Sequence, residues 1–486
     1  MAESLKHKTL KATLWSVAER FSVQISAFIV MIVMARRLTP GDYGLIGMLT
    51  IFIILAQAIA DSGFSQAIIR KQDRTATDNS TAFFFNIATG ILLYALLFFC
   101  APLIASFYHE PKLTALSRVM GLAVLLNSLI AVQKALLTAS LDFRTQAKAS
   151  VSGTFAGGAI GIAMAYTDYG VWAIVGYQLV NLSINASLLW ILSKWRPAKL
   201  WSRTSFREMF GFGSKLALSG IIDTIYNNIY QPVIGKAFTP SDLGFYTRAQ
   251  QFASLPSDNL TGVLMRVTFP VLCSIGSQQS RLRDAYCRFL RLSAFVIFPL
   301  MLCLAALSKP LISVLLGAKW LPAATMLPIL CLALMWYPVH AVNVNLLNVR
   351  GRSDLFLKAE IIKKTVGIAI LCITIPMGVI AMCWGLVASS LIALFINTYF
   401  TGSLISLGFT AQMRQVAPSL LYAMSAAFAA FVAASMPEPQ WLQLCAGCFA
   451  AIITFLILTM ATRSRDLRML LDFIGFRPEN KDYEIQ

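Results

Sequence analysis

Charge is scarce in this sequence. Only 13% of its 486 residues are Asp, Glu, Lys or Arg, whereas 57% are hydrophobic, and the mean hydropathy is +0.69. That leaves too little polar surface to coat a water-soluble body of this size. No P-loop pattern occurs, which argues against direct ATP hydrolysis. The nine cysteines are scattered, and seven of them (Cys100, Cys303, Cys331, Cys372, Cys383, Cys445 and Cys448) lie inside apolar runs. No disulfide framework is implied. Cys445 and Cys448 form a Cys-x-x-Cys within one such run and read as two small hydrophobes one helical turn apart, so no metal site follows. Long polar loops, of the kind that would carry a catalytic centre, are lacking too.

What the sequence has is long apolar runs. Crossing a bilayer takes about 20 apolar residues, and only helices or closed barrels satisfy their backbone polar groups there. The continuous runs 82–107 and 446–460 fit helices, since barrel strands alternate in short segments. Hydropathy places spans near 12–35, 43–61, 81–107, 115–140, 149–166, 169–193, 287–308, 321–348, 357–376, 378–404, 415–435 and 440–462. Two more segments of the right length, 211–236 and 245–274, are too polar to be assigned this way. The first span follows a basic stretch but is too long for a signal peptide and lacks a small-x-small cleavage site, so it is expected to be retained.

The net charge of +18 follows membrane topology rather than a nucleic-acid patch. Lys6, Lys8 and Lys11, then Arg70, Lys71 and Arg74, then Lys194 to Arg207, Arg281 to Arg291, Arg350 to Lys364 and Arg463 to Arg468 all fall on one predicted side. The positive-inside rule makes that side cytoplasmic and puts both termini there.

An internal repeat admits the two polar segments. Thr39-Pro40-Gly41-Asp42-Tyr43-Gly44 returns as Thr239-Pro240-Ser241-Asp242-Leu243-Gly244, so Thr-Pro-x-Asp-x-Gly is shared. Pro102-Leu103-Ile104 matches Pro310-Leu311-Ile312, and Lys148-Ala149 matches Lys358-Ala359. Ordered matches at a nearly constant offset make spans 1–6 and 7–12 two lobes of parallel topology. The expected architecture is all-α and multi-pass, with fourteen transmembrane helices. Its parts are an N-terminal lobe at 1–193, an amphipathic interlobe linker at 194–210, a second lobe at 211–404, two further spans at 405–462 and a cytoplasmic tail at 463–486. Within the repeat, Pro is expected to stop the preceding helix, Asp to cap the next, and Gly to permit a tight turn. Gly153, Gly157 and Gly161 form a small-x-x-x-small stripe suited to close helix packing.

Charges inside the spans point to a polar path. Glu19, Arg20, Asp61, Lys134, Lys215, Asp223, Arg248, Asp258 and Arg266 would together cost roughly 25 kcal/mol if they faced lipid. They are expected to line a cationic, cytoplasm-facing cavity, with Arg20, Lys134, Lys215, Arg248 and Arg266 as its substrate-binding cations. Tyr226, Asn227, Asn228, Gln231, Gln250, Gln251 and Asn259 add hydroxyl and amide groups suited to sugars. Glu19, Asp223 and Asp258 are candidates for a coupling ion. His340, beside Pro338, is expected to be structural.

The pattern Ala60-Asp61-Ser62-Gly63-Phe64-Ser65-Gln66-Ala67-Ile68-Ile69-Arg70-Lys71 resembles the hallmark of polysaccharide repeat-unit flippases. So do Phe298-Pro299, Leu316-Gly317-Ala318-Lys319-Trp320, and Leu347-Asn348 with Gly351-Arg352-Ser353. The resemblance is to the O-antigen and colanic-acid branch of the multidrug/oligosaccharidyl-lipid/polysaccharide (MOP) superfamily. It implies a MOP-type fold in the bacterial inner membrane that moves undecaprenyl-pyrophosphate-linked oligosaccharide between leaflets by alternating access. Partners would be that lipid-linked substrate, membrane lipids and polysaccharide biosynthesis proteins, with a proton or sodium gradient in place of a cofactor. A multidrug antiporter of the same superfamily would want an anionic cavity, and a polymerase or ligase a large catalytic loop. A peptidoglycan-precursor flippase stays open as an alternative.

Overall fold

The computed structural model describes residues 2–276, 278–436 and 439–473, and among them every regular element is helical. Thirteen of the last residues of the expected tail, 474–486, fall outside the described residues. The chain divides into two compact units, Met1–Gly244 and Phe245–Gln486.

The first unit holds α1 (Ala2–Arg37), α2 (Pro40–Asp61), α3 (Phe64–Arg70), α4 (Ala76–Tyr108), α5 (Lys112–Met120), α6 (Leu122–Ala139), α7 (Phe143–Tyr166), α8 (Val171–Leu192), α9 (Arg203–Asn228) and α10 (Tyr230–Ala237). Helix α11 (Pro240–Ser274) begins at the boundary between the units. The second unit continues with α12 (Gln279–Ala306), α13 (Ser308–Leu315), α14 (Leu321–Leu334), α15 (Tyr337–Val349), α16 (Ser353–Thr374), α17 (Val379–Ile405), α18 (Phe409–Ala434), α19 (Gln440–Ala461) and α20 (Arg465–Phe473). Among the described residues, ten segments are long and apolar enough to cross a membrane. Helices α9, α11 and α16 have span length but carry too many polar or charged residues to join them by composition.

The segments 211–236 and 245–274, which hydropathy left open, are helical, though the first is broken near Ile229 into α9 and α10. The expected tenth span at 321–348 is likewise two helices, parted where Pro338 enters the first turn of α15 and cannot donate a backbone bond. The linker is only partly as expected. Residues 193–202 run without helix along the start of α4, where the Ala198 amide donates to Ser80 Oγ at 3.0 Å and the Ser202 amide to Thr81 Oγ1 at 3.1 Å. From Arg203 onward the chain is already α9, because Ser202 caps it by accepting from the Ser205 amide at 3.2 Å.

By packing, α9 belongs with the first unit. Phe206 and Phe210 join Phe64 and Phe85 in an aromatic cluster, with Phe64 and Phe85 stacked at 4.6 Å. The elbow between α2 and α3 requires left-handed backbone at Ser62 (φ 42°) and Gly63 (φ 73°). A Cβ on Gly63 would also lie 2.7 Å from Gly213 Cα on α9. That close backbone approach is what the Asp-Ser-Gly-Phe stretch provides.

The repeated motif is built twice in the same way. The Thr39 hydroxyl accepts from the Asp42 amide (3.3 Å) while the Asp42 carboxylate accepts from the Thr39 amide (2.9 Å); Thr239 and Asp242 repeat this at 3.2 and 3.1 Å. This is a capping box, so Thr is the cap and Asp its partner, a correction to the expected role of Asp. The glycines do not make tight turns. A Cβ on Gly44 would run into the Pro240 carbonyl, and one on Gly244 into the Pro40 carbonyl, so the two copies of the motif pack on one another. The α7 stripe acts as expected, for Gly153 and Gly157 bring α7 against the backbone of Asn181 and Tyr177 on α8.

Candidate functional site

The predicted site residues are spread over several helices and differ in exposure. Arg20 on α1, Lys215 and Asn227 on α9, and Arg266 on α11 are exposed. None of the three cations has an ion pair among the described residues. Arg248, Gln250, Gln251 and Asn259 on α11, and Tyr226, Asn228 and Gln231, are half-buried, while Asp223 and Asp258 are exposed. Asn259 spends its amide on its own helix, donating to the Leu255 carbonyl at 2.8 Å. Glu19 accepts a hydrogen bond from Ser150 Oγ at 2.7 Å, which ties α1 to α7. His340 has Ser390 Oγ at 3.2 Å from one ring nitrogen and the Asn397 amide at 3.3 Å from the other, consistent with a structural histidine.

Lys134 lines a partly open cavity of about 300 Å³ within the first unit, bordered by α2, α3, α4 and α6. Its walls follow from helical spacing. Gln57 and Asp61 are four residues apart on α2, and Asn127, Ser128, Ala131, Lys134 and Ala135 follow one face of α6. Gly90 lies one turn beyond Asn86 on α4, and a Cβ there would strike Ser128, so the missing side chain lets α4 and α6 close up around the cavity. Ser65 on α3 donates both its amide, at 3.3 Å, and its hydroxyl to Asp61 Oδ1. Asn86 is fully buried, and neither its amide nitrogen nor its oxygen has a hydrogen-bond partner. An unpaired buried amide group costs about 1–3 kcal/mol, so the cavity presents an unmet demand for a polar occupant. The carboxylate that acts electrostatically on Lys134 is that of Glu19 on α1, which Ser150 holds, while Asp61 is engaged by Ser65.

Asn86, Gln57 and Asn127 were not singled out from sequence, whereas Asp61 was expected among the charges lining a cavity but given no role of its own. A signal existed: an amide and a carboxylate spaced i, i+4 in the otherwise apolar α2, and an amide seven residues before a lysine on α6. Outside the spans, a second cluster ties the α3–α4 connection to α9, with Lys71 Nζ 3.0 Å from Glu208 and 3.2 Å from Asp78. The Glu208 bond first, then Asp78, hold Lys71 above the usual lysine range. In the second unit, Arg283, Arg288 and Arg291 border an open depression of about 850 Å³, and Arg291 pairs with Asp466 at 3.5 Å.

Long apolar helices define a multi-pass membrane protein. The solved structure of the lipid II flippase MurJ, in an inward closed conformation, matches with a TM-score of 0.74 over 94% of this chain and 99% of that one. At 15% identity this establishes the fold, which is the MOP-type fold. The model of the polysaccharide biosynthesis protein family matches residues 33–325, and the chain belongs to that family. Among its relatives, the teichuronic acid biosynthesis protein TuaB of Bacillus subtilis (strain 168) is 26% identical over 72% of this chain and 73% of TuaB. The succinoglycan biosynthesis transport protein ExoT of Rhizobium meliloti (strain 1021) is 25% identical over 68% of each chain.

Proposed function

We propose that this protein is a flippase that carries polyprenyl-pyrophosphate-linked oligosaccharide repeat units across the bacterial inner membrane, with both termini cytoplasmic and fourteen membrane crossings. The observation that carries this reading is family membership over residues 33–325 combined with a flippase fold. Relatives in polysaccharide biosynthesis and transport favour repeat units over peptidoglycan precursor, since MurJ shares only the fold. A transporter of this kind catalyses no covalent step, so no catalytic residues are assigned.

The physical difficulty is the head group, because a pyrophosphate and several sugars cannot enter hydrocarbon unaided. Exposed cations on membrane-length helices, Arg20 and Lys215 in the first unit and Arg266 in the second, are each candidates for charge-assisted hydrogen bonds to the pyrophosphate while the lipid tail stays in the bilayer. Arg248 adds a fourth cation, and the amides of α9 and α11 contact sugars. Glu19, Asp223 or Asp258 binds the coupling proton or sodium ion, and polysaccharide biosynthesis proteins receive the product.

The test is export of surface polysaccharide in cells carrying Arg20→Ala, Lys215→Ala and Arg266→Ala at normal protein level. Export should fall at least tenfold in the triple variant, with lipid-linked intermediate accumulating inside. Unchanged export removes the cationic path. Transport into vesicles that ignores both proton and sodium gradients removes the coupling.

A further inference from the structure

We propose that the cavity of the first unit, between α2, α4 and α6, is a subsite for a single sugar ring of the transported oligosaccharide; this rests on the flippase reading above. Two observations point there together. Asn86 is fully buried at the cavity wall with both amide atoms unpaired, so the fold has placed a donor and an acceptor where only an occupant can meet them. The remaining polar lining is of mixed character: the Gln57 amide, the oxygens of Asn127 and Ser128, whose donors are spent on the Ala123 and Val124 carbonyls, the Asp61 carboxylate and the Lys134 ammonium.

That mixture selects the ligand class. A cation entering the cavity would meet the Lys134 charge, and an anion would meet Asp61. A neutral polyhydroxyl ligand uses both, for its hydroxyls donate to the carboxylate and amide oxygens and accept from the ammonium and amide nitrogens. Val124, Ala131 and Ala135 give an apolar wall for the C–H face of a pyranose ring. At about 300 Å³ the cavity sits at the low end of small-molecule sites, roughly 300–1,000 Å³, which admits one ring and excludes a whole repeat unit. Lys134 is thereby separated from the pyrophosphate-binding cations and becomes a determinant of sugar selectivity.

The experiment compares wild type, N86A and K134M, purified in lipid nanodiscs, for affinity toward two probes. One is the lipid-linked oligosaccharide that accumulates in the native host when this protein is depleted. The other is undecaprenyl pyrophosphate without sugars. Each variant should lose about tenfold in affinity for the sugar-bearing lipid while binding the bare carrier as the wild type does, which also serves as the control for folding. Equal loss for both probes overturns the subsite, since the residues would then serve the phosphate or the fold. Unchanged affinity for both overturns it in favour of a cavity filled by water alone. If depletion accumulates no lipid-linked sugar, or the wild type binds neither probe, the flippase reading falls and the subsite with it.

Discussion

Gly44 and Pro240 are in backbone contact: the absent side chain of the glycine leaves room for the proline carbonyl, and Gly244 receives the carbonyl of Pro40 in the same way. Two six-residue stretches of sequence 200 residues apart, identical at four positions, therefore meet as a reciprocal pair. Glycine is needed on both sides because the contact is with backbone, which cannot rotate aside as a side chain can.

Replacing either glycine with alanine should destabilise the protein by about 1–3 kcal/mol through overpacking. Gly41→Ala is the control, because the nearest atom to its added Cβ, Ser241 Oγ, would lie at 3.5 Å. Thermal unfolding in detergent should show a lower midpoint for Gly44→Ala and Gly244→Ala and little change for the control.

Lys71 joins the α3–α4 connection to α9 through Glu208 and Asp78. Its pKa is raised in the folded state, so its contribution is full below the unfolded value near 10.4 and is lost as pH rises through the folded value. Partial exposure limits this to about 0.5–1 kcal/mol. The stability difference between wild type and Lys71→Met should stay constant from pH 6 to about 9 and shrink only in strongly alkaline buffer.

Tyr286 is the centre of a buried polar knot in the second unit. Its hydroxyl lies 2.9 Å from Asn343 Oδ1 and 2.8 Å from Gln412 Oε1, and Thr401 Oγ1 donates to the same Asn343 oxygen at 2.6 Å. Tyr286→Phe leaves Asn343 with Thr401 but strips Gln412 Oε1 of its donor, at a cost of about 1–3 kcal/mol. Denaturant unfolding of the variant should show the loss.

Phe64 is fully buried where α3 meets α4 and α9. Phe64→Ala should cost about 3–5 kcal/mol, because the stacked Phe85 and the neighbouring Phe206 and Phe210 cannot all move into the space. Limited proteolysis at the 193–202 connection should accelerate in this variant, since α9 loses its main apolar partner.

By itself the sequence determined the class of fold. Apolar length dictates membrane helices whatever the tertiary packing, and ten segments among the described residues meet that requirement by length and composition. The repeat was legible too, as was a helix start at each Thr-Pro-x-Asp, but the cap was assigned to Asp, whereas Thr caps and Asp closes the box. Only the tertiary structure showed that Gly44 and Gly244 serve a contact between the motif copies, for a glycine in a helix looks the same in sequence whether it turns or packs. The cavity was hidden for a similar reason. Gln57, Asp61, Asn86 and Lys134 come from three helices, and periodicity gives each helix a polar face without saying which faces meet. That pairing is set by close approaches such as Gly90 on Ser128, which depend on packing across the chain rather than along it.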